Sequence, residues 1–316
     1  MQVKTFLETA GNFEERDILK KFYQGLLVDQ TVKQTINAKI SLELNYSACE
    51  VAVLYGSWKP RDRDHHVVRN SIVNEAQAFV VIETALLTRK VFEENQYYRI
   101  GVNGFLNNSG TFTNNEIDDT RFNQLGLSWP NWQNNPDGYI LLMLQLPGDA
   151  SLRGIDMYEW CKFAIKQIRK VSDRPIRIRS HPLHKSKEND DFQKFVFELA
   201  MNSTSNIMFS QGSEISLADD LMHAYCTVGY STGSSIDSIL CGIPAVACDP
   251  GNFAYEVSTN FLDSIEDLKQ PDQSVIMPWL YKLAYSQWTL EEMANGQAWK
   301  HIKPLINFNN TPRKKK

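Results

Sequence analysis

Short apolar runs without polar alternation, each closed by glycine or a polar group, restrict this chain more than any other feature. "EVAVLYG" (Glu50–Gly56) and "AFVVIETALL" (Ala78–Leu87) are two of them. Strands that read as continuous apolar runs are buried on both faces, as in parallel sheets covered by helices. Between them, "DHHVVRNSIVNEAQ" places apolar residues at helical spacing, which completes one βαβ unit. The pattern returns with "YILLMLQ" (Tyr139–Gln145), the amphipathic "GIDMYEWCKFAIKQIRK", the strand "PIRIR" and the helix "DDFQKFVFELAMN". "NIMFSQ" is a short strand and "LADDLMHAY" a helix. "CTVGYS" and "PAVACDP" are strands on either side of the helix "SSIDSILCG". The prediction is an α/β protein with a second parallel unit in its second half.

A length of 316 residues exceeds one ordinary core and suits two domains of ~150 residues each. The stretch from Gly101 to Gly138 is rich in Asn, Gly and Asp and lacks periodicity, so it reads as a long loop or domain connection. The expected division is residues 1–136, residues 137–295, and a C-terminal helix with a basic tail over 296–316. Charged residues are 22% of the chain and the formal charge is −4, which excludes a globally basic nucleic-acid-binding protein but permits local basic patches. The five cysteines are odd in number and show no CxxC pairing, so buried reduced thiols are expected. No stretch approaches the ~20 apolar residues of a membrane span, and "MQVKTFLETAGNFEERD" has no apolar core of a signal peptide. A cytoplasmic protein is expected.

Ligands of open parallel sheets bind at the carboxyl ends of the strands. Four such ends in the second half carry polar groups. "YILLMLQ" ends at Gln145 and runs into "LPGDASLRG"; "PIRIR" ends in "SHP"; "CTVGY" ends in "STGSS"; "PAVAC" ends in "DPGNF", with Asn252. Ser231, Thr232, Gly233, Ser234 and Ser235 place hydroxyls and a glycine where a helix begins, a position that favours phosphate or, equally, a simple N-cap. Arg179 and His181 at a neighbouring strand end supply the donors that an anion needs, and the alternation of Arg177 with Arg179 leaves open which arginine faces the ligand. There is no Walker A lysine, and no GxGxxG follows the first strand of either half, which argues against a kinase, an ATPase or a dinucleotide enzyme.

The order "QLPGDAS", "RSHP", "STGSSIDSILCGIPAV" resembles the donor-binding domain of GT-B glycosyltransferases, specifically the capsule-polysaccharide Kdo-transferase group. In that group a Gln-x-x-x-Asp-x-Ser stretch, a His-Pro dipeptide and a Ser/Thr-rich turn hold the nucleotide sugar. "VLYGSWKP" and "VVIETALLTR" resemble the group's first-half motifs, so that the likeness runs from about Val51 to Val257. The resemblance implies two Rossmann-like domains with parallel sheets facing an interdomain cleft. It also implies a nucleotide-sugar donor bound by Gln145, Asp149, Ser151, Arg179, His181, the turn Ser231–Ser235, Asp237 and Asn252. Asp237 stands where many such proteins carry a ribose-binding glutamate. Inverting transfer needs a carboxylate to deprotonate the acceptor, and Glu83 at the end of "FVVIE" is the candidate, with Asp149 next. No metal and no cofactor beyond the nucleotide-sugar co-substrate is expected, because His65 and His66 have no ligand partner at suitable spacing and Asp118 and Asp119 lie in the long loop.

"SWKPRDRDHHVVRN" (Ser57–Asn70) is a basic, aromatic-bearing segment on the acceptor side. It offers Trp58, Lys59, Arg61, Arg63 and Arg69, with Arg313 to Lys316 as an auxiliary tail. "SWPNWQNN" adds aromatics and amides of the kind that stack on bases. In size and in these loops the chain resembles bacteriophage transferases that place arabinose or similar sugars on hydroxymethylcytosine in DNA, which would put it in the host cytoplasm. Two alternatives stay open: a capsule or surface-polysaccharide transferase with a CMP-Kdo-type donor, and a nucleotide-sugar epimerase or binding relative. Monomer and homodimer are both compatible with the sequence.

Overall fold

The computed structural model describes residues 1–29, 40–59, 64–88, 96–114, 117–133, 135–183, 187–202 and 206–308, with the backbone alone at 187–189. The chain forms two compact units, Met1–Gly126 together with Leu280–Lys316, and Leu127–Trp279. In chain order the first unit holds β1 (Val3–Phe6), α1 (Phe13–Val28), β2 (Ile40–Glu43), β3 (Val51–Tyr55) and α2 (Asp64–Glu75). Then come β4 (Ala78–Thr84), β5 (Tyr97–Val102) and the short α3 (Thr120–Gln124). The second unit holds β6 (Tyr139–Met143), α4 (Met157–Ile168), β7 (Ile176–Arg179), α5 (Lys187–Met201) and β8 (Ile207–Ser210). It continues with α6 (Leu217–Met222), β9 (Ala224–Gly229), α7 (Ser234–Leu240) and β10 (Ala245–Ala247). Helix α8 (Gln273–Tyr285) carries the chain across the boundary, and β11 (Gln287–Thr289), α9 (Leu290–Ala294) and α10 (Gln297–Ile302) rejoin the first unit.

The sheet of the first unit has the order β11-β5-β4-β3-β1-β2. Strands β1 to β4 pair in parallel, with Val3 beside Val51 and Val51 beside Ala78. Val51 to Leu54 are fully buried, as expected of a central strand covered on both faces. Strand β5 runs antiparallel to β4 and β11 antiparallel to β5, so this sheet is mixed. Helix α1 starts where the Asn12 side chain accepts the Glu15 N–H at 2.9 Å, and it buries Ile18, Leu19, Phe22 and Leu26 along one face.

The return of the chain corrects the expected boundaries. Residues 280–295 belong to the first unit, and 297–302 pack into its core instead of standing apart. Two contacts explain this. Gly25 of α1 lets the backbone of α9 approach so closely that a Cβ there would lie 1.9 Å from the Met293 carbonyl oxygen. Arg121 forks onto the Glu292 carboxylate (2.7 and 3.1 Å), donates to the Gln287 carbonyl at 2.7 Å and lies 4.0 Å over the Trp288 ring. Trp299 of α10 then meets Phe22 edge-on.

The second unit is the five-stranded order β8-β7-β6-β9-β10, parallel throughout. Ile140 and Leu142 of β6 pack with Trp160, Ala164 and Ile168 of α4 and with Phe192 and Val196 of α5. Leu141 and Met143 pack on the other face with Leu221 and Ile243. Both faces are apolar, which is why this strand shows no alternation. The five cysteines are unpaired, and burial pushes the Cys161 thiol up to about 12. Among the described residues no helix is long and apolar enough to cross a membrane.

Candidate functional site

The strand order of the second unit reverses direction between β6 and β9, the place where open α/β sheets bind ligands outside their carboxyl ends. Registers put Met143 beside both Arg179 and Gly229, and Gly229 beside Ala247. Two residues further along each strand stand Gln145, His181, Ser231 and Asp249, so four strand ends present one row of polar side chains.

Gln145, only 7% exposed, joins the two central strand ends. Its Oε1 accepts the Ser231 N–H at 2.9 Å, and its Nε2 donates to the Ser231 hydroxyl at 3.1 Å and the Ser151 hydroxyl at 2.5 Å. Ser231 Oγ donates in turn to the Ser151 carbonyl at 3.0 Å. Asp149 caps the turn after β6, accepting from the Ser151 N–H (2.8 Å) and hydroxyl (2.6 Å). Gln145, Asp149, Ser151 and Ser231 thus form one hydrogen-bonded cluster across the reversal point. Gly229 lets the following turn fold back, since a Cβ there would meet Thr232 Cγ2 at 2.4 Å. Thr232 Oγ1 accepts the Ser234 N–H at 3.2 Å, Gly233 is the N-cap of α7, and Asp237 lies in its first turn.

Two donor-side candidates are turned inward. Asn252 is fully buried and donates to the Tyr230 carbonyl at 3.1 Å and to Ser235 Oγ at 3.0 Å, so both side chains lock the β9 and β10 ends together. Arg179 is 7% exposed and ion-paired to Asp220 of α6, which Arg177 also approaches at 2.8 Å. Ser210 donates to the same carboxylate at 2.6 Å. Residues two apart on a strand share a face, so both arginines reach the one buried acid, and Arg179 anchors the strand instead of projecting from its end. His181 is half-buried, and its Nδ1 accepts the Leu183 N–H at 3.1 Å. In the neutral ring that leaves the proton on Nε2, which then acts as a donor.

In the first unit, Glu83 stands half-buried at the end of β4, one residue past the Tyr55–Ile82 pair. Gly56 follows at φ +80°, and a Cβ on it would lie 2.4 Å from Arg69 Nη2. Arg69 fills this notch. It donates to the Thr9 carbonyl and the Ser57 carbonyl, each at 2.8 Å, and burial lowers its pKa against the opposing charges of Glu83 and Glu15. Burial, with Glu83 as the next cause, pushes the Tyr55 hydroxyl far up. Arg69 was expected on the acceptor side, but it is a buried tie between the β1 and β3 ends. Trp58 likewise packs edge-on against Phe79 (5.4 Å) and Phe105 (4.9 Å). Lys59 is half-buried, and its carbonyl accepts from the Asn70 side chain at 3.1 Å. Arg61, Arg63 and the tail Arg313 to Lys316 lie outside the described residues.

Two residues of the sheet edge carry little sequence signal. Arg153, in the left-handed region at φ 51°, pairs with Asp249 at 2.5 Å, and Asp249 also accepts the Gly251 N–H at 2.7 Å. Among the described residues no group of three His, Cys, Asp or Glu side chains could hold a metal ion.

No protein-family model matches the sequence, and no curated protein does. Solved structures do match the fold. The β-Kdo 2,4-transferase of KpsC from Thermosulfurimonas dismutans aligns with a TM-score of 0.53 at 12% identity, over 90% of each chain. The β-Kdo 2,7-transferase of KpsC from the same organism aligns with a TM-score of 0.51 at 11% identity, over 97% of this chain and 100% of the other. At such identities the likeness establishes architecture: the chain has an α/β fold of two Rossmann-like units, similar to these GT-B-type structures.

Proposed function

We propose that the protein is a glycosyltransferase that draws its sugar from a nucleotide-sugar donor. The support is the row Gln145, His181, Ser231 and Asp249 at the strand reversal of the second unit, because a phosphate-bearing ligand is bound by such an edge in parallel α/β sheets. In this proposal His181 Nε2–H contacts the donor phosphate, Thr232, Gly233 and Ser234 line its path, and Asp237 accepts from the ribose. Gln145, Asp149 and Ser151 hold the edge in shape. Arg179, Ser235 and Asn252 support it from beneath.

In the transfer step the acceptor oxygen forms a bond to the anomeric carbon while the bond from that carbon to the phosphate oxygen breaks. Glu83 takes the acceptor proton, and the departing phosphate keeps the electron pair, stabilised by fixed donors. The configuration inverts.

For the acceptor we propose a sugar hydroxyl of a glycan. The two fold neighbours are named as Kdo transferases, which also suggests a CMP-Kdo-type donor. Hydroxymethylcytosine DNA has less support. Of the five residues suggested to hold it, Trp58 and Arg69 are packed inward and Arg61 and Arg63 lie outside the described residues. Salt dependence separates the two acceptors, since each phosphate neutralised adds about −0.9 to the slope of log affinity against log salt. The donor is tested by thermal shift with CMP- and UDP-sugars: a ligand at 100 times its Kd stabilises the native state by about 2.7 kcal/mol. A screen in which no nucleotide or nucleotide sugar raises Tm would contradict the proposal.

A further inference from the structure

We infer that Arg153 is the cation that receives the anionic part of the nucleotide, with Asp249 holding it in place until then. The inference rests on the donor site proposed above and names a residue of it. Three segments meet at the strand reversal: 145–153, 230–237 and 249–252. Their charged residues are Asp149, Arg153, Asp237 and Asp249, so Arg153 is the one cation among them. The nearby Arg177 and Arg179 are both drawn to buried Asp220.

The position of Arg153 is fixed from both sides. It directly follows the single helical turn Ala150–Leu152, whose Ser151 bonds to Gln145 and Ser231. Its backbone sits at φ 51°, a region that costs a residue with a Cβ and persists where surrounding structure imposes it. The side chain is 42% exposed, whereas that of its partner Asp249 is 5% exposed and tied to the Gly251 N–H. A guanidinium has five N–H donors in a fork that suits two acceptors at once. Asp249 and the Tyr230 hydroxyl both hydrogen-bond the Arg153 guanidinium, which still keeps part of its surface exposed. The Tyr230 hydroxyl and the Cys248 thiol are further titratable groups beside the pair, and burial raises the pKa of each.

Titration calorimetry with CMP and UDP, against the uncharged cytidine and uridine, tests this on the full chain. Arg153→Gln keeps a donor for Asp249 and removes the charge. It is expected to weaken binding of the nucleotide by about tenfold or more, leaving nucleoside binding unchanged. Should that variant fold poorly, Arg153→Gly combined with Asp249→Asn relaxes the backbone and leaves no orphaned carboxylate, with the same expected outcome. Equal nucleotide affinity in the variants and the unaltered protein overturns the inference and leaves the donor site standing. A parallel loss of nucleoside affinity also overturns it, because Arg153 would then be shaping the pocket. If the unaltered protein binds neither nucleotide nor nucleoside, the donor site falls and this inference with it.

Discussion

Gln145 and Ser231, 86 residues apart in sequence, exchange hydrogen bonds across the point where the strand order reverses. The Gln145 side chain accepts the Ser231 N–H at 2.9 Å and donates to its hydroxyl at 3.1 Å, and both residues are buried. An amide is suited to this, because it accepts and donates in one plane.

Replacing Gln145 by Ala strands the Ser231 N–H in a buried site. The expected loss is about 1–3 kcal/mol of folding stability, read from urea denaturation, together with weaker donor binding. An unchanged denaturation midpoint would show that the bridge contributes nothing to the edge.

Asp220 is a second buried tie, and a more demanding one. It is fully buried between Arg177 and Arg179, so Asp220→Ala leaves a buried guanidinium without its counter-charge. Breaking one partner of a buried ion pair costs about 3–5 kcal/mol, and that loss is expected in denaturant titrations. A loss below 1 kcal/mol would mean that the arginines swing out to water.

The acid limb of the stability curve should report the joint between α3 and α9. Burial pushes Glu292 up, but hydrogen bonds from Arg121 and Thr289 and the Arg121 charge outweigh it, so its pKa lies below the ordinary 4.5. A carboxylate depressed in the folded state contributes stability that is complete above its unfolded pKa and lost as pH falls through the folded value. Stability should therefore decline below about pH 4.5, and Arg121→Met should flatten that decline. An identical acid limb in the variant would assign the decline to other carboxylates.

His181→Ala is expected to weaken nucleotide-sugar binding by about tenfold with the fold intact, the effect of losing a hydrogen bond to a charged group. Unchanged binding would remove His181 from the proposed donor site.

The centre of the second unit was legible in sequence because β6, β9 and β10 are buried almost throughout, so each apolar run stops where polar chemistry starts. Gln145 and Ser231 were visible as residues ending such runs, and His181 as the polar end of the alternating strand "PIRIR". Asp249 and Arg153 were not, because their pairing over 96 residues is made by the fold, and each reads locally as a turn residue. The same holds for Asp220, which looks like a surface acid of "LADDLM" until Arg177 and Arg179 close on it. In the first unit, "VKTF" and "ISLE" are too short to stand out, and "YYRIGV" begins the polar stretch that reads as loop. The three-residue β11 is too short to stand out; it pairs antiparallel with β5, its Gln287 side chain bonds to Leu86 and Leu87, and Arg121 donates to the Gln287 carbonyl. Arg69 shows the opposite error: a charged side chain in a basic segment, drawn inward by two carbonyls and a glycine notch.

The most direct measurement follows both products of the reaction: free nucleotide and glycosylated acceptor, by mass spectrometry, from a panel of CMP- and UDP-sugars with oligosaccharide acceptors. One donor is expected to release its nucleotide in step with product, and Glu83→Gln to lower turnover by about 100-fold or more with donor binding retained. A donor that is isomerised without release of nucleotide, or transfer that proceeds at full rate in Glu83→Gln, would contradict the proposal.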